Sequence, residues 1–192
     1  MSLARAGADD AEVVVVRPYV VGDAPGTREV FTAAVRRTAA ERYSPEQLRA
    51  WAPDDVEPEA WAARRSDATT VVACLGDVAG ELVGFAGLVD DGGGTGVLDM
   101  LYVHPDAGRH GVGRVLVEHV VGTCRDRRLQ RLDVRASHLL RPLLERLGFV
   151  VDDEARDAER GGVVLTRWAM HRDLAPRPVE PAALPGALAP PA

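Results

Sequence analysis

Apolar and polar positions along this chain recur at two different periods, and the switches between them outline the elements. Val13 to Val16, inside the stretch Glu12 to Tyr19, is an apolar run long enough for one buried strand, ended by Pro18. After Asp23, a residue able to cap a helix, Val30, Phe31, Ala34, Val35 and Thr38 recur at helical spacing. Ser44-Pro45-Glu46-Gln47 predicts a second helix start: Ser44 as N-cap, Pro45 at the first helical position and Gln47 at the third. That short helix carries Leu48 and Trp51 and ends before Pro53. A third helical piece is expected from about Pro58 to Arg65 and includes Trp61.

The period then changes. Thr69 to Leu75 and Leu82 to Val89 are β-branched or apolar and predict two strands joined by Gly76 to Gly80. Asp90 to Gly96 is a glycine-rich hairpin loop that feeds a fourth strand, Val97 to Val103. Pro105 stops that ladder because it has no N–H to donate. Val112, Leu116, Val120 and Cys124 then recur at one-turn spacing, predicting a helix that ends near Arg128. A strand from Arg131 to Ala136 and a helix from Leu139 to Leu147, closed by Gly148, follow. Phe149 to Asp153 and Val163 to His171 flank Arg160-Gly161-Gly162 and predict a final hairpin. Residues 1–12 and the Pro/Ala tail 175–192 have little capacity to pack and are expected to be disordered. Helices therefore flank a mixed, mostly antiparallel sheet with one strand-helix-strand crossover, an α/β layered domain over residues 13–174.

Composition narrows the function. A chain of 192 residues with 46% hydrophobic and 27% charged residues is globular and can bury a sizeable core. A net charge of −6 argues against nucleic acid and anionic membrane as partners. No apolar run is long enough to span a bilayer, and MSLARAGADDAE lacks the core of a secretory signal. Cys74 and Cys124 lie in apolar patterns and fit reduced core residues, which points to the cytoplasm. The 5 histidines show no H-x-x-x-H or H-E-x-x-H spacing, so no metal is expected.

The chemistry concentrates in Asp99 to Arg114, DMLYVHPDAGRHGVGR. A strand, a glycine-rich turn and a helix start make an anion site, because the first helical N–H groups have no intrahelical partner. A P-loop is excluded: it needs a lysine, and all basic residues here are arginine. The dinucleotide fingerprint is excluded because Gly108 to Gly113 reads G-x-x-G-x-G, the reverse of its spacing. Taken alone, the loop also fits an ordinary turn. The reversed order resembles the acetyl-CoA loop of the GNAT N-acetyltransferases, [QR]-x-x-G-x-[GA], with Gly108 where the Gln or Arg would stand. Leu101-Tyr102-Val103-His104-Pro105 is similar to that family's fourth-strand L-x-V-x-P signature. Ala136-Ser137 and Arg141 to Phe149 resemble its A-S-x-x-A-x-P-F-Y-E-R-x-G-F segment, and Met170 to Leu174 its M-x-x-x-L ending. Tyr43 to Trp51 is similar to a Y-S-x-x-Q-x-x-A-W stretch of one poorly characterised bacterial branch.

The resemblance implies a GNAT fold in which strands 4 and 5 splay around acetyl-CoA. Leu101, Tyr102 and Val103 would pair through their main chain with the pantetheine arm. The N–H groups of Arg109, His110, Gly111, Val112, Gly113 and Arg114 would hold the pyrophosphate. An acceptor amine then attacks the thioester carbonyl directly, a strand N–H steadies the oxyanion, and a base takes the ammonium proton. Asp99 stands where family members often place a carboxylate; the alternative is a salt bridge to a neighbouring arginine. The family's thiolate acid, a tyrosine, is replaced here by Leu144. Ser137 could hydrogen-bond the thiol, though capping the next helix is the favoured reading. Tyr43 is read either as a replacement for the missing phenol or as an amphipathic wall residue. Trp51 and Trp61 are read as pocket lining or core, and His104 as a neighbour of the phosphates or a surface residue. The expected activity is acetyl transfer from acetyl-CoA to a primary amine of a small molecule, with homodimerisation left open. Two rivals remain: a non-catalytic acyl-CoA-binding module, suggested by Gly108 and Leu144, and a GNAT that modifies a protein or other macromolecule.

Overall fold

The computed structural model describes residues 13–108, 110–152, 156–160 and 162–174. The expectations for residues 1–12, for the tail 175–192 and for Arg109 lie outside the described residues. In chain order the elements are β1 (Val14–Pro18), α1 (Ala24–Ala33), α2 (Pro45–Trp51), α3 (Pro58–Asp67), β2 (Thr69–Leu75), β3 (Leu82–Asp90) and β4 (Thr95–Val103). They continue as α4 (Val112–Asp126), β5 (Arg131–Ala136), α5 (Arg141–Arg146), β6 (Val150–Val151), β7 (Arg156–Arg160) and β8 (Val163–Asp173). The sheet order is β1-β2-β3-β4-β5-β8-β6, with β7 paired to the first half of β8. Every pairing is antiparallel except β4 with β5, which α4 connects.

Local chemistry accounts for most of these elements. The Ser44 hydroxyl accepts the Gln47 N–H at 3.2 Å, and Gln47 Oε1 accepts the Ser44 N–H at 2.9 Å, closing the capping box that starts α2. Gln47 also donates to the Val164 carbonyl at 2.9 Å, tying α2 to β8. Gly148, at φ +81°, ends α5 in the left-handed conformation that glycine adopts most readily. Asp23 does not cap α1. Its carboxylate accepts the Val20 N–H at 2.8 Å and a two-pronged bond from Arg17 at 2.7 and 2.8 Å, so it turns back to β1 instead. The helix begun at Ala24 widens into a π-turn, Ala34–Thr38, before it ends.

Two boundaries differ from the sequence pattern. Residues 138–140 form a turn, so the last helix covers Arg141–Arg146 rather than Leu139 to Leu147; leucine periodicity extends into a segment whose backbone has not yet entered the helix. Of the expected strand Phe149 to Asp153, Val150–Val151 forms and pairs antiparallel with β8 as expected, Asp153 lies outside the described residues, and a further strand, β7, enters between them and pairs with the first half of β8. The sequence of β7 is mostly charged and carries no strand pattern.

The sheet separates two cores. On one face α4 lays Val112, Leu116, Val120 and Cys124 on Leu98, Leu132 and Leu144. Gly84 permits that approach, because a Cβ there would meet Val112 Cγ1 at 2.9 Å and Leu116 Cδ1 at 3.1 Å. On the other face α1 to α3 close an aromatic core of Phe31, Tyr43, Trp51, Trp61 and Phe85. Both cysteines are free and buried. No helix among the described residues is long and apolar enough to cross a membrane.

Candidate active site

The site begins with one extra residue in β4. Gly87 faces Met100 and Leu88 faces Leu98, so Asp99 is a bulge with no partner on β3. Leu98 points to the α4 core, whereas Met100 and Tyr102 pack with the aromatic core and Leu101 and Val103 return to the α4 side. A bulge bends and twists its strand. Pairing of β4 with β5 stops at this point, at Leu98 opposite Val134. Beyond it the two strands diverge and leave a cleft of about 210 Å³ lined by Asp99 to Val103, Val134, Arg135, Ser137 and Gly113. The π-turn and Trp51 form its other wall, and Leu140, just before α5, and Leu143 of α5 form part of its floor.

One end of the cleft meets the N-terminus of α4. Gly111 precedes it at φ +75°, a conformation costly for any residue with a Cβ. The first bond back is Val115 N–H to Gly111 carbonyl at 3.0 Å, so the N–H groups of Val112, Gly113 and Arg114 have no acceptor among the described residues. At Gly113 a Cβ would meet Leu143 Cδ2 at 3.1 Å. An anion-binding helix end, a bared strand edge and an apolar floor fit a ligand with a phosphate at one end and an amide-bearing arm along the strand. Acetyl-CoA has that form.

The other candidates separate. Asp99 lies in the cleft with its side chain 50% exposed, and Arg65 Nη2 is 3.8 Å from its carboxylate. Tyr102 is present through its main chain; its ring packs on Phe31 and Phe85 and its hydroxyl accepts the Trp51 Nε1–H at 3.1 Å. Ser137 lines the cleft, but its hydroxyl accepts the Leu140 N–H at 3.3 Å in a turn that leads into α5. Tyr43 is buried against Trp51 and His138, and its hydroxyl accepts the His138 N–H at 3.3 Å, away from the cleft lining. Leu144 is fully buried in the α4-side core. His110 is exposed beside Gly111, and His104 Nδ1 accepts the Asp106 N–H at 3.4 Å. Trp61 serves the core, donating to the Thr27 hydroxyl at 3.0 Å.

Sequence reasoning missed Arg65 and Arg167. Arg65 is 4% exposed, with its guanidinium 5.1 Å from the Trp61 ring centroid; burial lowers its pKa from the ordinary arginine value, and Asp99 opposes that only in part. The i,i+4 spacing of Trp61 and Arg65 was the available signal. Arg167, on β8, lies 5.6 Å from the Trp51 ring centroid, and no sequence neighbour announces that contact.

A strand wedge of this form, opening onto a glycine-started helix, defines an acyl-CoA transferase fold. The family profile described as an acetyltransferase (GNAT) domain matches residues 39–172, and the chain belongs to that family. It is 29% identical over 148 residues, covering 77% of this chain and 89% of the relative, to an Escherichia coli (strain K12) protein described as an uncharacterized N-acetyltransferase, YafP. The crystal structure of a GCN5-related N-acetyltransferase from Rhodopseudomonas palustris superposes with a TM-score of 0.77 at 31% identity, covering 88% of this chain and 100% of that one. YncA, a putative acetyltransferase from Salmonella typhimurium solved with acetyl-CoA, shares the fold at a TM-score of 0.66 and 19% identity, covering 92% and 99%. Family membership supports acetyl transfer from acetyl-CoA as the activity.

Proposed function

We propose that the protein moves the acetyl group of acetyl-CoA directly to a primary amine of a small molecule, in the cytoplasm. One observation carries this reading: the cleft opened at the Asp99 bulge has an anion-binding helix end and a half-exposed carboxylate on the same bared strand. Val112, Gly113 and Arg114 would hold the pyrophosphate through N–H groups, joined by Arg109 and His110 beside them. The main chain of Leu101, Tyr102 and Val103 would pair with the pantetheine arm, and N–H donors along this edge suit charge developing on an acyl oxygen. When bound, acetyl-CoA supplies an activated acyl group whose thiol has an ordinary pKa of about 8.5.

The remaining chemistry is the chain's own. Asp99 takes one proton of the incoming ammonium and passes it to water; the freed amine forms the N–C bond, the second nitrogen proton leaves to water, and the C–S bond breaks to release the thiolate. No dedicated acid is assigned to the departing thiolate. Tyr43 lies outside the cleft lining, Leu144 sits in the core and Ser137 is read as the cap of the turn into α5, so the protonation of the sulfur is assigned to water. Thiol release from acetyl-CoA over a panel of primary amines tests the reading. Amine-dependent release is expected; acetyl-CoA binding without release for any amine would instead identify a non-catalytic binding module.

A further inference from the structure

Asp99, Met100, Tyr102 and Arg167 line both the cleft and a second hollow of about 470 Å³, which Arg64, Arg65 and Asp67 at the end of α3 also wall. The chemistry of this second space is unlike the apolar floor of the first. Arg65 is almost wholly buried, yet its carboxylate neighbour stands 3.8 Å away, beyond hydrogen-bond reach, and its buried Nε has no acceptor. The Trp61 ring and the Met100 thioether pack against it, and Tyr19, Tyr102 and Arg64 lie near. Arginine keeps its charge in proteins, so a buried guanidinium with idle donors is costly until an anion meets it. Arg167 adds a second cation to the wall.

Resting on the reading that an amine is acetylated here, we infer that the acceptor is a zwitterion: an amino acid, or a close analogue carrying a carboxylate beside its amine. Asp99 and Arg65 present opposite charges 3.8 Å apart in one wall. An α-amino acid presents the complementary pair on a single carbon. Its carboxylate meets the Arg65 fork, with Arg167 near, and replaces a weak ion pair by charge-assisted hydrogen bonds. Its ammonium meets Asp99, which is thereby released from its cation and turned to the proton that must leave. A neutral-tailed amine leaves Arg65 without a hydrogen-bonded anion, and a diamine brings a second positive charge against Arg64, Arg65 and Arg167.

The test measures thiol release from acetyl-CoA with each standard amino acid beside its α-amide, which lacks the carboxylate charge. At least one amino acid should exceed its amide by about 10²-fold in kcat/KM, the size of a lost charge-assisted contact. Arg65→Met should bring that ratio close to one, and Arg167→Gln should lower it by a smaller factor. Replacing a buried charge by an apolar side chain of similar length is often tolerated; should Arg65→Met fail to fold, the ratio in Arg167→Gln decides. Amides equal to their amino acids for every side chain would overturn the inference, as would variants that lower both substrates alike. If no acceptor releases thiol, acetyl transfer itself fails. Calorimetry of the same amino acids and amides into the CoA-loaded protein still decides the inference: preference for the carboxylate, lost in Arg65→Met, supports it, and equal binding contradicts it.

Discussion

The two halves of the site are built from different materials. In the proposed reading the donor half is one continuous stretch, β4 through the first turn of α4, and works through main-chain groups: a bared strand edge, a left-handed Gly111 and three helical N–H groups with no acceptor among the described residues. The proposed acceptor half draws on α2, α3, β4 and β8, with Trp51, Arg65, Asp99 and Arg167 brought together across more than half the chain, and would work through side chains. A backbone site tolerates side-chain drift and punishes loss of glycine. A side-chain site does the reverse. That asymmetry explains how Gly108 can stand where a Gln or Arg is usual while the helix end keeps its form.

Mutations should separate the halves by what they change. Asp99→Asn is expected to have the largest effect, lowering turnover by about 10²-fold or more while acetyl-CoA affinity stays nearly unchanged; steady-state rates beside calorimetry check it. Near-normal turnover at neutral pH would make Asp99 structural. Gly113→Val should act on the donor half alone. Its side chain collides with Leu143, and overpacking of about 1–3 kcal/mol predicts acetyl-CoA binding weaker by about 10-fold or more in a protein of unchanged circular dichroism. Gly111→Ala meets no atom within 4 Å, so its effect is purely conformational: about 1–2 kcal/mol of lost stability from the left-handed backbone, read by denaturant unfolding.

Smaller effects fall on the hydroxyls. Ser137→Ala should cost about 1 kcal/mol of stability, the value of a cap, and change turnover little. Abolished turnover in a folded variant that still binds acetyl-CoA would make Ser137 part of the chemistry. Outside the site, Arg17 holds the Asp23 carboxyl below its ordinary value of 3.8. The folded state therefore binds this proton less readily than the unfolded chain. The stability it contributes is present above about pH 4 and is lost as pH falls through the depressed folded value. Asp23→Asn should flatten acid unfolding in that range, as followed by fluorescence.

Much of the fold was legible because its signals are local. β2, β3, β5, the α2 capping box and the buried face of α4 each follow from a period or a cap within one segment. The strand, turn and helix start of the proposed donor half were legible for the same reason. The bulge at Asp99 was not, because Leu98, Met100, Leu101, Tyr102 and Val103 are all apolar, as a strand packed on both faces requires, and such a run carries no phase to break. β7 was hidden by its charges. Arg65 resembles a solvated helix residue until α3 is laid on the sheet, and Arg167 becomes an acceptor-side residue only through the long β8 strand.

The central claim is that acetyl-CoA is held by the main chain of one half and leaves the other half to the acceptor. Amide hydrogen exchange measured with and without coenzyme A tests this most directly. New protection is expected in peptides spanning Leu101–Val103 and Val112–Arg114, with α3 and the first half of β8 unchanged. Protection confined to α3 and β8, or none at the α4 N-terminus at saturating coenzyme A, would contradict it.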